Sequence, residues 1–116
     1  MDILLLRQRI VRSMIRVTER TNNMRKPEKF VYRDYLNKSY MRMLRLCIKA
    51  NWAHGNVRRE YQSELDVELD IIRSLVDVAA SPEEKLISPG LHEVWSKELK
   101  EIGRMIGGWI KSDASR

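Results

Sequence analysis

Apolar residues along this chain recur at steps of three and four, and no stretch sustains the period-two alternation of a half-buried strand. Four segments carry the helical pattern. In the first, residues 2–22, Ile3, Leu6, Ile10, Met14 and Val17 share one face, and Asn22 with Asn23 supplies a stop. The second runs from Pro27 to Ala53 and gathers Phe30, Leu36, Tyr40, Met43, Leu44, Cys47, Ile48 and Trp52 into a broad apolar stripe, Pro27 suiting a first helical turn. "HGN" closes it, with Gly55 read as the C′ residue and Asn56 as the next N-cap. The third, residues 57–80, sets Tyr61, Leu65, Leu69, Ile72, Val76 and Ala79 on one face. A second apolar set beside them, Val67, Ile71, Leu75 and Val78, makes that face wider than one helical neighbour needs, so part of it is open to another chain. "SPEE" then offers Ser81 as N-cap, Pro82 at the first position and Glu84 closing a capping box, the signature of a helical turn, and "SPG" at 88–90 restarts the chain. The fourth segment, residues 89–111, places Leu91, Trp95, Leu99, Ile102, Ile106 and Trp109 in phase. The pattern predicts an all-α fold, an antiparallel up-down four-helix bundle forming a single domain over residues 1–116.

Three glycines interrupt the last segment, in "EIGRMIGGWI". Each costs a helix interior about 1 kcal/mol relative to alanine, so something must offset them. Gly108 can be read as a C-cap, but Trp109 and Ile110 continue the apolar phase beyond it. The other reading is close approach. Gly103 and Gly107 share a side of the helix, and a surface without Cβ atoms lets a neighbouring helix or subunit come near. Gly103, Gly107, Gly108 and Trp109 are therefore candidates for helix packing or an oligomer interface.

Composition narrows the class. With 116 residues, 43% hydrophobic and 33% charged, and only three Pro, the chain suits one folded domain with a modest core. The single cysteine, Cys47, lies in the apolar run "MLRLCIKA" and reads as a buried small hydrophobe in a reducing compartment. "MDILLLRQRI" is too short in its apolar run for a signal peptide or a membrane span. Charge is unevenly spread: residues 1–53 hold 13 Lys/Arg against 4 Asp/Glu and residues 54–116 hold 9 against 12, so +9 and −3 give the overall +6. A basic first half favours a polyanionic partner, nucleic acid before membrane.

That basic charge is ordered. Arg9, Arg12, Arg16 and Arg20 form one stripe on the first helix, and Lys38, Arg42, Arg45 and Lys49 form another on the second, each about 16 Å long. An ordinary solvated face interleaves acids with bases, and these stripes do not. Either they contact phosphates, or they pair with the acidic residues Glu60, Glu64, Asp66, Glu68 and Asp70 of the third helix, within the chain or across an interface. Tyr32, Tyr35, Tyr40 and Trp52 lie near them as core residues or as platforms for unpaired bases. Catalysis finds little support. His54 and His92 have no metal-ligand spacing around them, there is no P-loop or Gly-x-Ser-x-Gly, and the acids of "ELDVELD" fit the outer face of an amphipathic helix. No enzyme activity, cofactor or metal is expected.

The segment "KEIGRMIGGWIKS", residues 100–112, resembles the C-terminal signature of the accessory variability determinant family, small four-helix proteins encoded beside the reverse transcriptases of diversity-generating retroelements. Glu101, Ile102, Gly103, Arg104, Met105, Ile106, Gly107, Gly108 and Trp109 fall on it, and "RKPEKF", residues 25–30, is similar to the basic approach to that family's second helix. The resemblance implies a homo-oligomer, a pentameric barrel, whose basic surface binds RNA or DNA and which also binds the cognate reverse transcriptase, assisting error-prone cDNA synthesis and mutagenic retrohoming. It also implies a cytoplasmic, bacterial or phage-encoded protein. The phosphate contacts would be Arg9, Arg12, Arg16, Arg20, Lys38, Arg42, Arg45 and Lys49, supplemented by Arg25, Lys26 and Lys29. The alternative is a structural or protein-interaction bundle like those encoded in ribosomal-RNA intervening sequences, whose usual Asn-Ile-Ala-Glu-Gly stretch is here "CIKANWAHG".

Overall fold

Residues 3–115 are described by a computed structural model in which the ordered elements are α1 (Ile3–Ile15), α2 (Val17–Thr21), α3 (Glu28–Trp52), α4 (Gly55–Ala80) and α5 (Pro89–Ala114). No strand occurs among the described residues. The first two elements are one rod with a tightened turn: the Arg16 N–H donates to the Ser13 carbonyl at 3.2 Å, one residue short of the helical partner, and the Arg20 N–H returns to the Arg16 carbonyl at 2.9 Å. Four rods result, as the periodicity requires.

The first rod packs on α3 and α5, and α4 packs on the same two helices, so α1 and α4 occupy opposite corners of the bundle. The ends of α4 and α5 are pinned crosswise. Asp77, near the end of α4, meets His92 at the start of α5 at 2.8 Å, while Arg58, at the start of α4, meets Asp113 at the end of α5 at 3.4 Å. The molecule measures 47 × 21 × 21 Å. No helix among the described residues is long and apolar enough to cross a membrane.

Each helix buries most of the line its periodicity predicts: Leu6, Ile10 and Val17; Leu36, Tyr40, Met43 and Cys47, joined by Ala50; Leu65, Leu69, Ile72, Val76 and Ala79; Trp95, Leu99, Ile102, Ile106 and Trp109, whereas Ile3, Met14, Leu44, Ile48, Tyr61 and Leu91 are only partly buried. Two members of the expected α3 stripe lie in solvent. Phe30 and Trp52 are exposed, Trp52 to 77%, because Trp52 lies two residues past Ala50 and so about half a turn away from the buried line. The core also holds a polar thread. The Trp95 indole N–H donates to the Tyr40 hydroxyl at 3.0 Å, and that hydroxyl lies 2.6 Å from Ser13 Oγ, which satisfies three buried polar groups on three helices.

The connections show why the helices end where they do. Ala53 and His54 are the whole link from α3 to α4, and Gly55, instead of following α3 as its C′ residue, is the first residue of α4, with a φ of +57° that glycine adopts without strain. Asn56 is correspondingly inside α4, and no side chain caps its N-terminus. The carbonyls at the end of α3 do gain a side-chain donor: Arg58 Nε donates to the Ala53 carbonyl at 2.9 Å and its Nη2 to the Asn51 carbonyl at 3.2 Å, capping that helix. After α4 the expected turn forms, the Glu84 N–H donating to Ser81 Oγ at 3.3 Å. Ser88 caps α5 by accepting from the Leu91 N–H at 3.1 Å, with Pro89 at the first position. The helix then runs through Gly103, Gly107 and Gly108 to Ala114, so Gly108 is not its cap.

Candidate nucleic-acid interface

Burying Leu36, Tyr40, Met43 and Cys47 turns the opposite side of α3 to solvent. That side carries Tyr35, Lys38, Arg42, Arg45, Lys49 and Trp52 at steps of three and four, all exposed. Four cations thus span about 16 Å of helix between two aromatic rings about 25 Å apart. Beneath the C-terminal half of this row lies a groove of about 560 Å³ between α3 and α4, lined by Arg42, Arg45, Leu46, Lys49 and Tyr61 and walled on α4 by Glu64 and Glu68.

The four cations differ in their partners. Arg42 Nε donates to Glu68 Oε1 at 2.7 Å, and Ser39 Oγ donates to the other oxygen of the same carboxylate. Lys38 pairs with Asp34 at 2.9 Å one turn away. Lys49 stands 5.5 Å from the centre of the Tyr61 ring, and Arg45 has no partner among the described residues. Lys38 and Arg42 are each more than half exposed, so their pairs are screened and open to exchange with an anion.

On the first rod the stripe divides. Arg9 and Arg12 are exposed and unpaired among the described residues. Arg16, half-exposed, donates to Glu98 at 2.9 Å, and Arg20 grips both oxygens of that carboxylate at 3.0 and 2.8 Å with its guanidinium 5.2 Å from the Trp95 ring centre. Arg20 is 8% exposed, so its charge is spent inside the bundle and it is not available as a phosphate contact. Although burial pushes the Glu98 carboxyl up, hydrogen bonds from Arg20 and Ser13 and the charges of Arg20 and Arg16 outweigh it and hold the group below the usual carboxylate range. At the α3 N-terminus Arg25 donates to the Glu84 carbonyl at 3.1 Å, Lys26 lies 6.0 Å from the Phe30 ring centre, and Lys29 is half-buried.

Among the aromatic candidates, Tyr40 is fully buried and Tyr32 half-buried, which leaves Tyr35, 56% exposed, and Trp52 as the rings open to a ligand. The glycine set also separates. A Cβ at Gly103 would meet Leu69 Cδ2 at 3.2 Å, so that glycine admits α4 within the chain, whereas Gly107 and Gly108 have nothing within 4 Å and face outward. Trp109 is buried in the core under Arg58 and so offers nothing to a neighbouring subunit.

Sequence reasoning missed two arginines. Arg58 joins three helix ends, as described, and Arg33 donates to Thr21 Oγ1 at 2.9 Å and the Thr18 carbonyl at 3.1 Å, clasping α3 to α2. Neither lies on a periodic stripe, and each acts on backbone or side-chain acceptors that only folding brings near. Burial pushes the Cys47 thiol up to about 11, and no group of three or more His, Cys, Asp or Glu among the described residues is placed to hold a metal.

These features define a helical bundle with an outward cationic row edged by aromatics. A family model described as bAvd-like matches residues 4–113, and the chain belongs to that family of helical accessory proteins. No curated protein and no solved structure matches it.

Proposed function

We propose that this protein is a non-catalytic, nucleic-acid-binding accessory subunit of a retroelement reverse transcriptase, supporting error-prone cDNA synthesis and mutagenic retrohoming. The reading takes the bundle as antiparallel and up-down, assembling into a homo-oligomer, a pentamer by family resemblance, in the bacterial cytoplasm. The observation that carries it is the outward row of Lys38, Arg42, Arg45 and Lys49 between Tyr35 and Trp52, on a chain of the bAvd-like family. Phosphates along an RNA or DNA strand would meet the cations, and the rings would stack on unpaired bases at either end. Arg9 and Arg12 extend the basic surface onto α1. Outward Gly107 and Gly108 leave α5 a surface without Cβ atoms that a neighbouring subunit can approach.

Four phosphate contacts to a single strand predict a loss of roughly 50-fold in affinity between 50 and 200 mM salt. Replacing Arg42 and Arg45 by Glu should weaken binding of a structured RNA at least tenfold and flatten that salt dependence, with helicity unchanged by circular dichroism. Unaltered affinity in a folded R42E/R45E variant would sink this surface as the binding site. Co-purification with the reverse transcriptase encoded nearest the gene tests the polymerase partner directly.

A second reading, a protein-interaction bundle whose basic faces are consumed by acids, is favoured by the pairing of Arg42 with Glu68 and of Arg16 and Arg20 with Glu98. It leaves Arg9, Arg12 and Arg45 unaccounted for.

A further inference from the structure

α3 and α4 face each other in descending register across their groove. Arg42 meets Glu68 at 2.7 Å, and one step further along α3 and back along α4, Lys49 stands 5.5 Å from the centre of the Tyr61 ring. Between these two rungs lies a third. Arg45 comes three residues after Arg42 and four before Lys49, and Glu64 comes four before Glu68 and three after Tyr61, so the same spacing sets Arg45 and Glu64 opposite one another, and both line the groove. Unlike its neighbours, this rung is open. Arg45 and Glu64 are exposed, form no ion pair with each other, and have no other partner among the described residues.

The rest of the lining is apolar. Leu46 and Tyr61, both half-buried, and Val67 face the same groove, whose volume of about 560 Å³ falls within the range of roughly 300–1,000 Å³ found for small-ligand sites. A complementary ligand therefore has three parts: a flat apolar face for Leu46, Tyr61 and Val67, hydrogen-bond acceptors on the side of Arg45, and hydrogen-bond donors on the side of Glu64. A phosphate chain alone supplies only the acceptors.

We infer that the groove seats one unpaired guanine of the strand carried on the α3 row, with Arg45 donating to its O6 and N7 and Glu64 accepting from its N1–H and N2–H. Guanine alone among the four bases sets two acceptors on one edge and two adjacent donors on another. Adenine places its N6 amine beside N7, so a donor would confront the guanidinium, and it has no second donor for the carboxylate. The amine of cytosine adjoins an acceptor, and the single N–H of uracil lies between two carbonyls that a carboxylate repels. The two donors of guanine belong to its pairing edge, so a paired guanine cannot offer them, and a duplex would instead bring phosphates against the acidic wall of Glu64 and Glu68. With five N–H donors, Arg45 can hold a base edge and still meet a phosphate. The inference rests on the nucleic-acid reading above and adds to it a preferred base and an unpaired strand.

Fluorescence anisotropy with labelled short polyuridine strands tests it, one carrying a single central guanine, one an adenine at that place, and one inosine, which keeps O6, N7 and N1–H and lacks the N2 amine. The unaltered protein should bind the guanine strand about tenfold more tightly than the adenine strand, with the inosine strand between them. Glu64→Ala alters an exposed residue, and circular dichroism verifies that the variant stays folded. It should bring the guanine and adenine affinities together while the adenine strand binds as well as before or better, because the change removes a negative charge near the phosphates. Equal affinities in the unaltered protein, or a guanine preference that survives in Glu64→Ala, would overturn the base site and leave the cationic row standing as a phosphate surface. Failure of all three strands to bind, at low salt as well as moderate, would overturn the nucleic-acid reading and the base site with it, and give the groove to a protein partner.

Discussion

Tyr40 shows how much one atom can organise in this bundle. Its hydroxyl is fully buried, receives the Trp95 N–H and adjoins Ser13 Oγ, and burial raises its pKa, which favours the neutral phenol. Tyr40→Phe removes the acceptor and leaves two buried polar groups without it, which should cost about 1–3 kcal/mol in urea denaturation. Beside it, Glu98 carries a pH signature. Its folded-state pKa lies below the unfolded value near 4.5, so the stability it contributes is present above that value and is lost as pH falls through the lower folded one. Urea midpoints measured from pH 7 to pH 3 should therefore fall with acid in the native protein, and more shallowly in Glu98→Gln. An identical slope in the variant would remove Glu98 from the acid response. Nothing in the sequence distinguishes Arg20 from Arg9 or Arg12. All three lie on one stripe, and only the position of α5 brings Glu98 to Arg20 and leaves Arg9 and Arg12 in solvent.

The helices themselves were legible, because an apolar residue every three or four positions defines a face whatever it later touches. The ends were less so. "HGN" reads as a glycine stop followed by an asparagine cap, yet Gly55 opens α4 and Arg58 caps α3 through side-chain reach, a contact that local propensity cannot express. The same limit applies to the glycines of α5. All three fit a helix interior, and they diverge only in what faces them. At Gly107 a methyl group meets nothing, so Gly107→Ala should stabilise the fold by about 0.5–1 kcal/mol through helix propensity alone. At Gly103 the methyl would press on Leu69 Cδ2 at 3.2 Å, which offsets that gain. Urea midpoints of the two single variants should differ in that order, and a larger gain at Gly103 would contradict the close approach to α4.

At the scale of the whole molecule, the outward faces differ in chemistry. The α3 row presents cations between aromatic rings, while α5 presents Gly107 and Gly108 with nothing within 4 Å. Assembly and nucleic-acid binding should accordingly separate: R42E/R45E is expected to keep the native mass in light scattering while losing RNA, because both residues lie on α3 and not on the α5 face that the proposed function gives to assembly. By itself the sequence determined the helical class, most of the core line of each helix, the turn at Ser81 and the basic character of the first half, since these depend on spacing and composition alone. Folding decided which of two equivalent-looking residues is spent inside and which is left outside. Trp109 fills the core and Trp52 stands in solvent, and Arg20 is locked to Glu98 while Arg45 is free of any carboxylate among the described residues. The reason is geometric: periodicity fixes the angle of a side chain about its own helix axis, but only the neighbouring helices fix what lies at that angle.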